Sequence, residues 1–221
     1  ICISKNSFQR DNAFRLLNWI SYKYGFGTYL HRIEGYYSKS THEQSKKELA
    51  KLIKNVDTDN YVYIDTLISP SYTTAIAQSI QIPGIAGMEN NMVIFEYDKE
   101  NPTELNDIID NFTLVNSGDF DVCIMASSRK PIYYKNGIHV WIKTSDEENA
   151  NLMILLSFII LGHPEWKNGN IKIFDICKED EIADKRLKMN DLVRSGRLPI
   201  TSQNIEILLQ KEDISPKSII N

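Results

Sequence analysis

The chain has 221 residues, 42% of them hydrophobic, enough to bury one large core or two small ones sharing a sheet, and nothing in it reads as disordered. A formal net charge of -4 at pI near 5.6, with the bases mixed among acids, excludes a nucleic-acid-binding surface. Cys2, Cys123 and Cys177 each sit in an apolar, strand-like run; odd in number and far apart, they read as buried thiols of a reducing compartment and exclude a disulfide framework.

In chain order, strand and helix patterns alternate with little between them. Residues 1 to 4 form a short strand that opens the chain abruptly, as if cut from a longer protein, with no signal-peptide pattern before it. Ala13, Leu16, Leu17, Ile20 and Tyr24 put one apolar stripe on a helix over residues 10 to 24. Residues 27 to 34 return as a strand. Ser40 with Glu43 forms a capping-box pattern for a lysine-rich outer helix to about residue 54, its buried side being Leu49, Leu52 and Ile53. Residues 61 to 68 are a third strand, and Ser69-Pro70 supplies an N-cap and a first-turn proline for a helix ending by Pro83-Gly84. Residues 92 to 96 form a fourth strand. Asn101-Pro102 opens one helix carrying Leu105, Ile108, Ile109 and Phe112, and residues 121 to 126 are a fifth strand.

The polar stretch 127 to 137, with Pro131 and Gly137, marks the internal boundary, giving lobes 1–130 and 131–221 unless the two share one continuous domain. Beyond it come a strand over 138 to 143, an apolar helix over 147 to 161 opened by Ser145 and Glu148, a strand over 171 to 176, a helix over 180 to 195 ending at Gly196, and a strand over 204 to 209. The apolar run 152 to 161 is half of the about 20 residues a bilayer requires, so it reads as a buried helix.

Strands separated by single helices are parallel with right-handed crossovers, so the expected fold is α/β, a doubly wound, mostly parallel sheet flanked by helices, in two imperfectly repeated lobes. The first lobe favours the strand order 3-2-1-4-5, whose ligand crevice lies at the carboxyl ends of strands 1 and 4: Ser4, Lys5, Asn6 and Ser7 facing Glu96, Tyr97 and Asp98.

Gly84-Ile85-Ala86-Gly87-Met88, followed by Asn91, is similar to the "GLGxMxxNTV" run of the soluble C-terminal domain of cation-chloride cotransporters. Ile138-His139-Val140-Trp141-Ile142, Asp146, the run from Leu152 to Ile160, Trp166 and Ile171-Lys172-Ile173-Phe174 resemble that family's "IDVWW…DGGLxLLLPFLL…W…xIRIF" in the same order. The opening strand, with Arg10, Phe14 and Leu17 after it, is similar to the domain's start. Gly84, Gly87, Met88, Asn91, Trp141, Asp146 and Trp166 are thus the motif positions. The resemblance implies a cytosolic regulatory domain at the inner face of the cell membrane, forming a homodimer and coupled to the transmembrane carrier of the same polypeptide, which moves sodium, potassium and chloride or potassium and chloride. It implies no catalysis, metal or cofactor. Two departures lie near strand ends: Asp146-Glu147-Glu148-Asn149 replaces "DGG", and Glu96 stands where a glycine is usual.

The alternative is a stand-alone nucleotide-binding module of the universal-stress type, with ATP as its ligand. Its signature "GxxGx9G[ST]" fits Gly84 and Gly87 but requires glycine where Tyr97 stands. Gly84 and Gly87 follow a helix and open a strand, opposite to a dinucleotide loop, and read as turn positions with positive φ. His31, His42, His139 and His163 are scattered without metal-ligand spacing, and no G-x-S-x-G elbow or helix-start cysteine points to a hydrolase. Asp119 and Asp121 read as turn residues, and Trp141 and Trp166 as core or interface anchors.

Overall fold

Why both faces of the first sheet are buried follows from its residue alternation. In the computed structural model, which describes residues 1–56, 61–84, 88–143, 147–195 and 200–209, the chain divides into two compact units, Ile1–Pro131 and Ile132–Asn221. The first holds β1 (Cys2–Ser4), α1 (Asn12–Tyr24), β2 (Gly27–Glu34), α2 (Lys39–Lys54), β3 (Val62–Ser69), α3 (Tyr72–Ser79), β4 (Met92–Asp98), α4 (Thr103–Asp110), α5 (Phe112–Asn116) and β5 (Asp121–Ser127). Its five strands are all parallel in the order β3-β2-β1-β4-β5, the order that right-handed crossovers dictate.

Register aligns Ile64, Tyr29, Cys2, Ile94 and Cys123 in one row across the five strands. That row packs with Ala13 and Leu17 of α1. Because successive side chains point to opposite faces, Ile1, Ile3, Leu30, Val93 and Phe95 join Tyr72, Ala75 and Ile76 of α3, Ile108 of α4 and Val115 of α5 on the other side. A parallel sheet buried on both faces needs such near-continuous apolar strands.

Several local expectations are corrected. The α2 capping box is built on Ser38 and Thr41, not Ser40 and Glu43: the Ser38 hydroxyl accepts from Thr41 N–H while Thr41 Oγ1 accepts from Ser38 N–H. Of its inward residues Leu52 is buried, but Ile53 is 55% exposed. The cap of α3 is Ser71, whose hydroxyl accepts from Thr74 N–H at 3.1 Å, so Pro70 lies before the helix. The single helix expected after Pro102 is two: α4 breaks at buried Asn111, whose side-chain amide donates to the Asp107 carbonyl. Ile109 and Phe112 are left exposed. Asp119 adopts φ 56°, a left-handed turn position that aspartate tolerates better than most residues.

The second unit holds β6 (Ile138–Trp141), α6 (Glu147–Leu161), β7 (Ile171–Cys177), α7 (Ile182–Ser195) and β8 (Ile205–Leu209). Its strands are parallel in the simple order β6-β7-β8. Val140, Ile171 and Ile173 of the sheet pack with Ala150 and Ile154 of α6 and Met189 of α7. Lys185 of α7 pairs with buried Asp175 of β7 at 2.9 Å. The expectation of a buried apolar helix holds for one side of α6 only. Ala150, Ile154 and Ser157 are buried, whereas Leu152, Met153, Leu156, Ile159 and Ile160 are half-buried and Leu155 is 44% exposed. The expected caps Ser145 and Gly196 lie outside the described residues.

Candidate functional site

Strand order reverses between β1 and β4, and there the loop after β1 meets the start of α4. The chain fills this crevice with its own ions. Lys5 donates to Asp107 at 2.5 Å and lies 4.3 Å above the Tyr72 ring. Asn6 and Arg10 donate to the two carboxylate oxygens of Glu104, at 2.6 and 2.5 Å. Glu104 and Asp107, one helical turn apart on α4, thus grip the loop after β1.

Glu96 is buried one position before Tyr97, near the end of β4. Its Oε1 accepts from the Ser127 hydroxyl and from Ala13 N–H in the first turn of α1. The N-cap residue of that helix, Asp11, makes no side-chain cap bond. A carboxylate from a distant strand therefore satisfies the helix start and its dipole. Burial pushes the Glu96 carboxyl above its ordinary value, opposed by the Ser127 hydroxyl, Ala13 N–H and the Arg10 charge. This is the position where doubly wound folds seat a ligand phosphate. A phosphate there meets a like charge.

Of the remaining crevice positions, Ser4 is buried and accepts from Asn6 N–H at 3.2 Å. Tyr97 packs against the core on the α3 side. Ser7 turns toward β2: its hydroxyl is 2.8 Å from Nδ1 of His31, whose Nε2 is 2.6 Å from Glu48 of α2. His31, one of the scattered histidines without metal-ligand spacing, is buried between them on β2. Sequence spacing gave no signal for this, since the three residues stand on a loop, a strand and a helix.

The motif positions are dispersed. Gly84 does not have positive φ, a correction to the expected turn geometry. It is required because a β-carbon there would collide with the Met88 carbonyl. Met88 and Asn91 are exposed, the Asn91 carbonyl accepting from Asp121 N–H at 2.8 Å. Trp141 stacks on Phe174 with ring centroids 4.6 Å apart, and buried Trp166 meets Tyr134 edge-on at 4.9 Å. Gly87 and Asp146 lie outside the described residues. Among the described residues no group of three or more His, Cys, Asp or Glu is placed to hold a metal ion, and no helix is long and apolar enough to cross a membrane.

No family model matches the chain, and a search of curated proteins finds no match to its sequence.

Proposed function

We propose that this chain is a regulatory and dimerising domain of a cation-chloride cotransporter, lying at the cytoplasmic face of the membrane and biasing its carrier by contact, without catalysis. The ordered series of motif positions from Gly84 to Phe174 supports the family reading. The observation that carries dimerisation is α6. A helix apolar all round belongs in an interior, yet while Ala150, Ile154 and Ser157 are buried and Met153, Phe158 and Leu161 pack against the same core, Leu155 stays 44% exposed. The remaining apolar side is the expected mark of a protein interface, and the occupant is a second copy of this chain. Ions are selected in the transmembrane helices of the carrier, whether for sodium, potassium and chloride or for potassium and chloride. A stiff sheet docked beneath such a carrier needs a coupling of only about 1–3 kcal/mol to shift it between states.

The self-satisfied crevice favours this reading over an ATP-binding module, because Lys5 and Arg10 are already paired with Asp107 and Glu104 and the start of α1 with Glu96. Light scattering combined with thermal shift in millimolar ATP tests the choice. The proposal requires a dimer whose melting ATP leaves unchanged. A monomer stabilised by ATP overturns it.

A further inference from the structure

The contacts around His31 line up a serine hydroxyl, an imidazole and a carboxylate. Glu48 Oε1 accepts from the Gln44 amide at 2.8 Å and Oε2 faces His31 Nε2. Burial works against the charge of Glu48, but hydrogen bonds from Gln44 and His31 and the nearby charges of His31 and Lys51 outweigh it and hold the carboxyl below its ordinary value. An ionised carboxylate only accepts, so Nε2 carries the imidazole proton. In the neutral imidazole Nδ1 presents its lone pair to the Ser7 hydroxyl 2.8 Å away. In the imidazolium, whose charge favours the Glu48 carboxylate, Nδ1 donates instead, so activation of Ser7 belongs to the neutral ring. Nucleophile, base and orienting acid stand in sequence within hydrogen-bonding reach, the arrangement that activates a serine whatever the fold around it. The phenol of buried Tyr29 lies beside the Ser4 and Ser7 hydroxyls.

We propose that Ser7 is a covalent modification site: a hydroxyl activated by His31 and Glu48 that accepts an acyl group from activated carboxylic esters or thioesters. An Oγ lone pair forms the new C–O bond while the hydroxyl proton passes to His31 Nδ1. The bond from the acyl carbon to the leaving oxygen or sulfur breaks with its electron pair. The leaving group then takes the proton from Nδ1, so ester and serine become acyl-serine and free alcohol or thiol. Glu48 stabilises the imidazolium formed in between. Phe8, next in the chain, is 49% exposed and meets His31 edge-on at 5.2 Å, offering an apolar surface to a short acyl chain. Ser7 is only half-buried. Acylation removes the proton that Ser7 donates to His31 and so uncouples the loop after β1 from β2. Uptake of one acyl group is a modification and not turnover, and it is independent of the carrier-domain reading: dimerisation without acylation, or the reverse, separates the two.

The test incubates the full chain with p-nitrophenyl acetate and, separately, with a fluorophosphonate, followed by peptide mass mapping. The expected result is one acetyl or phosphonyl group per chain, on Ser7, with acetylation releasing one equivalent of p-nitrophenol. His31→Gln lowers the labelling rate about 100-fold, and Ser7→Ala abolishes the adduct in a chain that still folds, with a lowered melting temperature from the hydrogen bond lost to His31. Mapping of the unaltered chain decides the matter even where a variant fails to fold. Ser7 labelling no faster than that of the exposed hydroxyl of Ser38, or labelling unaffected by His31→Gln in a folded variant, overturns the proposal.

Discussion

The two units use the same strand-helix alternation to different ends. In the first, chain reversal about β1 places α1 and α2 on one face of the sheet and α3 to α5 on the other, so Cys2 and Ile94 are as buried as Ile3 and Phe95. In the second, three strands in sequential order put α6 and α7 on one core, and the outer side of α6 leaves Leu155 exposed along with Asn149 and Asn151. An apolar helix therefore has two meanings, a core element or an interface. Only the number of layers around it tells them apart.

The largest expected effect separates those meanings. Phe95→Ala, at full burial, should cost about 3–5 kcal/mol, read as a fall in the denaturation midpoint, whereas Leu155→Ala should cost under about 1 kcal/mol. Equal costs would make α6 a core helix and erase the contrast. Gly137 is next: at φ 76°, with the Asn170 backbone where a β-carbon would stand, Gly137→Ala should destabilise the second unit by about 1–3 kcal/mol. The first unit's protection from hydrogen exchange should be unchanged.

A smaller effect probes the crevice. Burial raises the Glu96 carboxyl, so the folded state holds its proton to higher pH than the unfolded chain does. Stability is thus greatest below the ordinary carboxylate value and is lost as pH rises from there through the folded value. Glu96→Gln should therefore gain stability relative to the parent over that rise, measured by urea unfolding at several pH values; a relative loss with rising pH would contradict the assigned direction. Smallest, Ser38→Ala should cost about 1 kcal/mol through loss of the α2 cap, and Ser40→Ala almost nothing.

The strand order was legible because apolar runs, helical spacing and crossover handedness constrain one another. Caps were legible only to within two residues, since Ser38 competes with Ser40 and Ser69 with Ser71 for the same role. The break at Asn111 escaped because Ile108, Ile109 and Phe112 continue the helical spacing across it. Topology brings the ends of β1 and β4 together as the strand order requires, but the ion pairs that fill the space between them were not legible. Glu104, Asp107 and Arg10 are ordinary surface residues until the fold brings residues about 100 positions apart together. Ser7, His31 and Glu48, only 24 and 17 positions apart, meet because they stand on a loop, a strand and a helix that no sequence spacing relates.

Oxidative cross-linking of single-cysteine probes reads the α6 assignment most directly. With Cys2, Cys123 and Cys177 replaced by serine or alanine in a background shown to fold, Leu155→Cys should form a disulfide-linked dimer of twice 25.5 kDa at low protein concentration. Ile53→Cys, on the exposed side of α2, should stay monomeric on the same gel. Cross-linking at neither position, with a monomer by light scattering, would contradict the account.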